Sequence, residues 1–260
     1  MMIATSDLTT YRTLIAACSL AVLWVLEGIA PMYSGRKRRL THNLNNLGMM
    51  ALNAVLGALL FSALTVAVTR YRFGLLHWLN WSNWAETVLA VVLFDAWQYL
   101  WHLLNHQIDF LSRFHSVHHA DAEMDASTAM RFHPAEIILS SAARLVVLPI
   151  LGMSLTQLLI YETLVLPVLL FHHSNVRIPA KLDRALRMII PTPWMHWVHH
   201  SQLPAERNSN YSSLLSVWDR IFGTFRLSSQ PERIKLGLPN YPETEWRRVD
   251  RMLVVPFRSR

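Results

Sequence analysis

The sequence predicts an all-α, multi-pass membrane protein with about four membrane helical elements, two of them spanning, one running inward and one a helical hairpin. A histidine-rich helical cap on the cytoplasmic side completes the predicted architecture. Three observations carry this expectation. Two long apolar runs hold almost no charge. Only 16% of the 260 residues are charged, while 52% are apolar and the mean hydropathy is +0.23. The 13 histidines gather in groups with helical spacing. Soluble domains carry roughly 25% charged residues, and disorder needs low hydrophobicity with high net charge. Neither class fits. The net charge of +7 points to nucleic acid or to anionic lipid. The apolar runs favour lipid, and no nucleic-acid partner is expected.

The first run, Thr13 to Tyr33, carries only Glu27 and is long enough to span ~30 Å of hydrocarbon as a helix. Its start is weakly basic, with Arg12 offset by Asp7, and the basic cluster Arg36, Lys37, Arg38 and Arg39 follows it. A cleaved leader would have the opposite arrangement, so a retained helix is expected. The positive-inside rule puts that cluster in the cytoplasm. Leu44 to Thr69, free of formal charge, then returns outward to Arg70 and Arg72. Trp78, Trp81 and Trp84 read as an interfacial aromatic belt.

A third helix, from about Ala85 to His106, heads inward. Its Glu86 and Asp95 are costly in lipid and are expected to face protein or water. After the polar stretch 107–136, a fourth apolar region runs from Ile137 to Phe171 and contains Arg144 and Glu162. Leu151-Gly152-Met153-Ser154 reads as a turn in its middle. Two halves of about 15–17 residues are slightly short for full spans, which favours a hairpin entering and leaving on one side. Residues 1–260 therefore read as one membrane-embedded domain. Helices one to three occupy 1–106, the cap 107–136 and 174–226, the hairpin 137–173, and a basic tail 227–260. The tail, with Trp246, Arg247, Arg248, Arg251 and Phe257, suits either a lipid surface or plain solvent.

The lone Cys18 excludes an intrachain disulfide, a thiolate iron–sulfur cluster and a thiolate zinc ribbon. Metal chemistry must then rest on histidine. His102 and His106 in HLLNH lie at i and i+4, on one helical face. His115, His118 and His119 in HSVHH lie at i, i+3 and i+4, and His196, His199 and His200 in HWVHH repeat that spacing. The predicted topology brings every group to one side of the membrane. So many neutral imidazoles exceed the needs of one metal and imply two. Leu103 occupies the general-base position of an HExxH zinc hydrolase, which disfavours that chemistry. The two-Glu, ExxH pattern of bundle di-iron proteins is also absent.

The ordered set HLLNH, HSVHH and HWVHH among apolar segments resembles the membrane fatty acid hydroxylase / sterol desaturase superfamily. Asp95 and Tyr99 precede the first pair as in that family, and Arg113-Phe114 lead into the second motif. Arg131-Phe132-His133-Pro134 with Glu136 resembles its RxHP stretch. Phe171-His172-His173-Ser174-Asn175 resembles its FxHxN stretch and maps the family histidine onto His173. Pro193 precedes the last triplet. Asn210-Tyr211 and the run Trp218-Asp219-Arg220-Ile221-Phe222-Gly223-Thr224 resemble its NYG and WDRxFGT stretches. The likeness covers about 95–226 in detail. Leu103 and Ser212 depart from the family pattern, which bears on subfamily and substrate.

The resemblance implies a non-haem di-iron centre, with two iron ions and dioxygen as co-substrate, acting on an unactivated C–H bond of a lipid from the bilayer. The implied ligands are His102, His106, His115, His118, His119, His173, His196, His199 and His200, with His133 a tenth ligand or a supporting group. Asp95, Asp125, Asn175, Asn210 and Asp219 are candidates to accept imidazole N–H bonds. His42 and His77 read as structural or interfacial. Hydroxylation is the default outcome and desaturation the variant. No glycine-rich GxGxxG or cysteine set supplies electrons. A separate donor is therefore expected, such as a b-type cytochrome, a ferredoxin or a reductase. Two other classes stay open at this point. One is a membrane metal transporter or storage protein, with ligands at helix midpoints. The other is a zinc lipid hydrolase, with Asp121, Glu123 or Asp125 as base.

Overall fold

Gly152 has φ +75 and ends a helix that the apolar pattern alone would continue. The amide of Met153 bonds the carbonyl of Leu148 at 3.0 Å and that of Gly152 bonds Pro149 at 3.1 Å. This pair of bonds closes the helix with a left-handed residue that glycine adopts without steric cost. Ser154 then opens the next helix through a capping box with Gln157. The fourth apolar region is thus a hairpin turning at the predicted place.

The computed structural model describes residues 5–34, 36, 38–71, 73–79, 81–241 and 247–257. Lys37, Arg72 and Trp246 lie outside them. Among the described residues, five helices are long and apolar enough to cross a membrane. They are α1 (Thr5–Ile29), α2 (Arg39–Val68), α3 (Asn83–Gln107), α5 (Pro134–Leu151) and α6 (Leu155–His173). The hairpin helices are 18 and 19 residues long, ~27–28 Å, because their polar ends at Pro134 and His173 extend the apolar run. Each is long and apolar enough to cross a membrane, although slightly shorter than ~30 Å. Large apolar side chains of α1 and α2 face outward, Leu59 at 77% exposure among them. That is the arrangement expected where the surroundings are lipid.

Helix α1 packs on α6, α2 on α5, and α3 on both α6 and α5. Phe94, Leu148, Leu158, Tyr161 and Val165 form the core between them. Gly74 lies against this hairpin so closely that a Cβ there would fall 1.9 Å from the Ile150 carbonyl oxygen, so only glycine fits. The charges of the apolar runs are satisfied internally, as expected. Glu86 accepts from Gln157 at 3.0 Å, and Asp95 accepts from Tyr161, Trp218 and two backbone amides.

The ends of α1, α3 and α6 and the starts of α2 and α5 share one end of the bundle. Over them lie α4 (Asp109–His119), a 3-10 turn (Ala126–Met130), α7 (Ala180–Leu186), α8 (Pro193–His199), α9 (Pro204–Arg207) and α10 (Val217–Ile221). No strand occurs among the described residues, only isolated bridges such as Pro31 with Val176. Glu27 ties α1 to this layer. It accepts from the backbone amides of Ala126 and Asn175 at 2.8 and 2.9 Å and pairs with Arg39 at 2.9 Å.

Candidate metal centre

Each histidine is placed by a short helical segment. His102 and His106 stand one turn apart at the end of α3. The chain reverses at Ile108, and α4 presents His115, His118 and His119 against them. His173 ends α6. Pro193, with no amide hydrogen to lose, starts α8, which carries His196 and His199 and is followed by His200.

The nine rings form two groups. His102, His106, His115, His119 and His199 make one, and His118, His173, His196 and His200 make the other. Within each group one ring nitrogen per residue lies within 4.8 Å of all the others. The groups adjoin: the His118 and His119 rings, one from each, are 5.4 Å apart.

Hydrogen bonds behind the rings set their tautomers. His102 Nδ1 bonds the Tyr211 carbonyl at 2.9 Å, His199 Nδ1 the Ser209 carbonyl at 2.7 Å, and His173 Nδ1 the Leu169 carbonyl at 2.7 Å. His115 Nδ1 bonds the Glu136 carboxylate at 2.8 Å. In a neutral ring the Nδ1 hydrogen is then committed, and Nε2 keeps a lone pair aimed into the group. Several of these lone pairs meet no protein donor. Nε2 of His102, His106 and His199 is buried without a partner, as are both nitrogens of His200. Other Nε2 atoms face one another, His118 to His173 at 3.1 Å and His196 to His173 at 3.0 Å. A buried polar atom without a partner costs about 1–3 kcal/mol. Converging lone pairs are therefore unfavourable unless a cation lies among them, and the donor set fits two such ions.

Electrostatics keep the rings in the ligating form. Burial, and then repulsion from neighbouring imidazoles, pushes His118, His119, His196, His199 and His200 well below the ordinary histidine range. They are neutral at pH 7.

Other predicted positions lie elsewhere. His133 caps α5: its Nδ1 accepts from the Ala135 amide at 3.1 Å and its Nε2 lies 3.2 Å from the Leu253 carbonyl. Both nitrogens are used, and His133 belongs to neither group. Nor do the five polar candidates accept imidazole N–H bonds from the nine rings. Asp219 accepts from the Tyr211 and Ser212 amides, Asn210 binds the Met195 and Arg226 carbonyls, and Asn175 holds Tyr33. Asp95 fixes Leu214, Leu215 and Trp218. Asp125 faces a different histidine, His42, at 3.1 Å. Asp219 and Asn210 shape the loop whose Ser209 and Tyr211 carbonyls hold two of the rings. The carboxylate that does reach a ring is Glu136, three residues beyond His133 and visible in the sequence only as part of the RxHP stretch. His172 also adjoins the centre, its ring 4.1 Å from that of His196, outside both groups.

A cavity of about 310 Å³ runs from the histidines between α3, α5 and α6, past Trp101, Phe132, Ile137, Val165 and Leu169. A second, about 320 Å³, opens on the polar side at His106, His119, Arg207 and Tyr241.

The fatty acid hydroxylase family profile matches residues 87–224, more than half of the chain and all nine histidines. The chain belongs to this family. It is 27% identical over 229 residues to an ornithine lipid hydroxylase of Rhizobium tropici, covering 85% of this chain and 68% of that protein. It is 26% identical over 229 residues to the alkylglycerol monooxygenase of Homo sapiens, covering 84% and 46% respectively. With the human cholesterol 25-hydroxylase it shares 27% over 148 residues, 56% of this chain and 53% of that one. The chain thus spans about half the length of the latter two. No solved structure matches it.

Proposed function

We propose that this family member is a membrane-bound oxygenase that uses two histidine-held iron ions and dioxygen to hydroxylate, or desaturate, an unactivated C–H bond of a lipid. The observation that supports it most is a cavity with apolar walls leading from the helix bundle to two adjoining groups of imidazoles with lone pairs facing inward. Five-His and four-His groups would each hold one ion, and His133 would support α5 rather than ligate. When bound, the iron pair supplies dioxygen activation and C–H attack.

The protein's own part is positional. Glu136 and the Tyr211, Ser209 and Leu169 carbonyls hold the rings so that each offers Nε2. Trp101, Phe132 and Leu169 line the lipid chain's path and keep it dry. The polar opening at His106 and His119 gives electrons from a separate donor, a b-type cytochrome, ferredoxin or reductase, a short route. The basic residues Arg36, Arg38 and Arg39 support a cytoplasmic position for this end of the bundle by the positive-inside rule.

A zinc hydrolase would need a free carboxylate base. Asp121 is engaged by His42 and Thr128, Asp125 by His42 and Arg36, and Glu123 by Arg247. A transport path would place ligands at helix midpoints, whereas these lie at helix ends.

The test is oxidation of membrane lipids in ¹⁸O₂ by cells expressing the chain. Label in a lipid hydroxyl is expected, with at least ~100-fold loss in His115→Ala or His199→Ala. Unlabelled hydrolysis products in place of label would reject the oxygenase reading.

A further inference from the structure

Halfway along the hairpin the bundle contains three charges. Arg144 Nη1 pairs with Glu162 at 2.8 Å, and Arg12 of α1 pairs with the other oxygen of the same carboxylate. Two positive charges share one negative charge, so one positive charge is left over in this group. Arg144 lies ten residues into α5, ~15 Å along the helix from its start. An ionisable group at that depth is costly and marks a function. Arg144 is also 5.9 Å from the Phe94 ring, which steadies the guanidinium from the α3 side.

Two cavities meet at Arg144. The inner one is the space between α3, α5 and α6 that ends at the histidines, and Gln98 and Ser140 lie on its wall as well. The outer one, about 780 Å³, lies between α1, α2, α5 and α6 and is lined by Thr9, Arg12, Ser62, Thr65, Ser141 and Glu162. Arg144 is only half-buried and lines both spaces, whereas Arg12 and Glu162 line the outer one. A surplus guanidinium at the meeting point of the two spaces suits a carboxylate or phosphate, whose oxygens its fork of N–H donors binds in pairs.

We propose that Arg144 is a substrate-positioning residue that binds the carboxylate or phosphate oxygens of an acidic lipid inside the bilayer, with Glu162 and Arg12 fixing its guanidinium. The substrate class is then an anionic lipid, and the distance from Arg144 to the histidines sets which carbon reaches the metal end. This rests on the oxygenase reading for its purpose but not for its measurement.

The experiment is binding of radiolabelled palmitate, lysophosphatidate and hexadecanol to the purified, metal-free full chain in detergent, corrected for uptake by empty micelles. Palmitate or lysophosphatidate is expected to bind at least about tenfold more tightly than hexadecanol, the scale of one charge-assisted hydrogen bond. A preference for palmitate alone identifies a carboxylate lipid, and one for lysophosphatidate alone a phosphate lipid. Arg144→Gln should bring the ratio to within about twofold, Arg144→Lys, which keeps the charge but loses the paired bonds, should keep only part of it, and Arg177→Gln on the exposed surface should leave it unchanged. Equal binding of all three lipids by the wild type, or an unaltered ratio in Arg144→Gln, overturns the proposal. If Arg144→Gln does not fold, the wild-type ratio together with that of Arg144→Lys decides, and loss of the preference in folded Arg144→Lys counts against a charge-based site. Anion preference without oxidised product defeats the oxygenase reading alone. Oxidised product without anion preference defeats this inference alone.

Discussion

His42 and His199 are equally buried, at 2% and 0% exposure, yet their surroundings are of opposite kinds. His42, on α2, has carboxylates on both nitrogens: Asp121 at 2.9 Å and Asp125 at 3.1 Å. Arg36 and Asn43 also bind Asp125, and Thr128 also binds Asp121. His199 has one nitrogen on a backbone carbonyl and the other on nothing, with imidazoles all around. Burial raises the Asp121 carboxyl, but the His42 and Arg131 charges and the bonds from His42 and Thr128 outweigh it and hold the group well below the usual range. One region is a closed network of compensating charges that pins α2 to the loop before the 3-10 turn. The other is a set of neutral rings with spare lone pairs. Burial of histidine therefore says little about metal binding. Whether a ring nitrogen remains uncommitted says much more, and the same criterion sets His133 apart.

The comparison breaks most readily at His42. Replacing it with alanine leaves two buried carboxylates short of a partner and is expected to lower stability by about 3–5 kcal/mol. Metal bound per folded chain should stay unchanged. Thermal unfolding with metal analysis of the folded fraction checks both, and a fall in metal without a fall in stability would erase the distinction between the two regions.

Glu136→Gln probes the other side. The carboxylate behind His115 becomes an amide whose nitrogen can face the ring, so the tautomer is no longer fixed. Metal retention should weaken by ~10–100-fold with the helical content intact, as measured by chelator competition. Unaltered retention would mean that His115 needs no orienting partner.

Acid separates the regions by the pH at which each loses stability. Below the ordinary histidine value of 6.5, an unfolded chain takes up protons that the buried rings of the metal-free protein refuse. Stability conferred by those rings is thus present above 6.5 and declines as pH falls, by at most about 1.4 kcal/mol per pH unit for each ring that stays neutral. The depressed Asp121 carboxyl behaves differently. Its contribution is full above the ordinary carboxylate value of 3.8 and is lost only at lower pH. The urea midpoint of the metal-free chain should therefore be lower at about pH 5.5 than at pH 7.0. Equal midpoints would show that the rings are not held neutral.

The contrast also explains what the sequence could reveal. Local spacing carried eight of the nine histidines, because i, i+3 and i+4 positions must share a helical face, and the family resemblance carried His173. Apolar runs carried the helices, and Gly152 carried the turn. Partnerships made across long stretches of chain were not readable. His42 meets Asp121 seventy-nine residues away, and Glu136 meets His115 across the start of α5. Asp125 looked suited to orient a ligand ring, but it faces His42 because α2 passes beside the loop that carries it. The carbonyls of Tyr211, Ser209 and Leu169 have no sequence signature at all, since any residue type supplies one. Arg144 and Glu162 were visible as charges in an apolar region, whereas their link to Arg12 depends on α1 packing against α6.

The central claim is that nine imidazoles surround two metal ions. Elemental analysis of the full chain, purified from iron-supplied cells without chelator, tests it directly. The account predicts two irons per chain, one for each histidine group, with both lost in His199→Ala combined with His196→Ala. Zinc alone, or no retained metal in a folded protein, would contradict it.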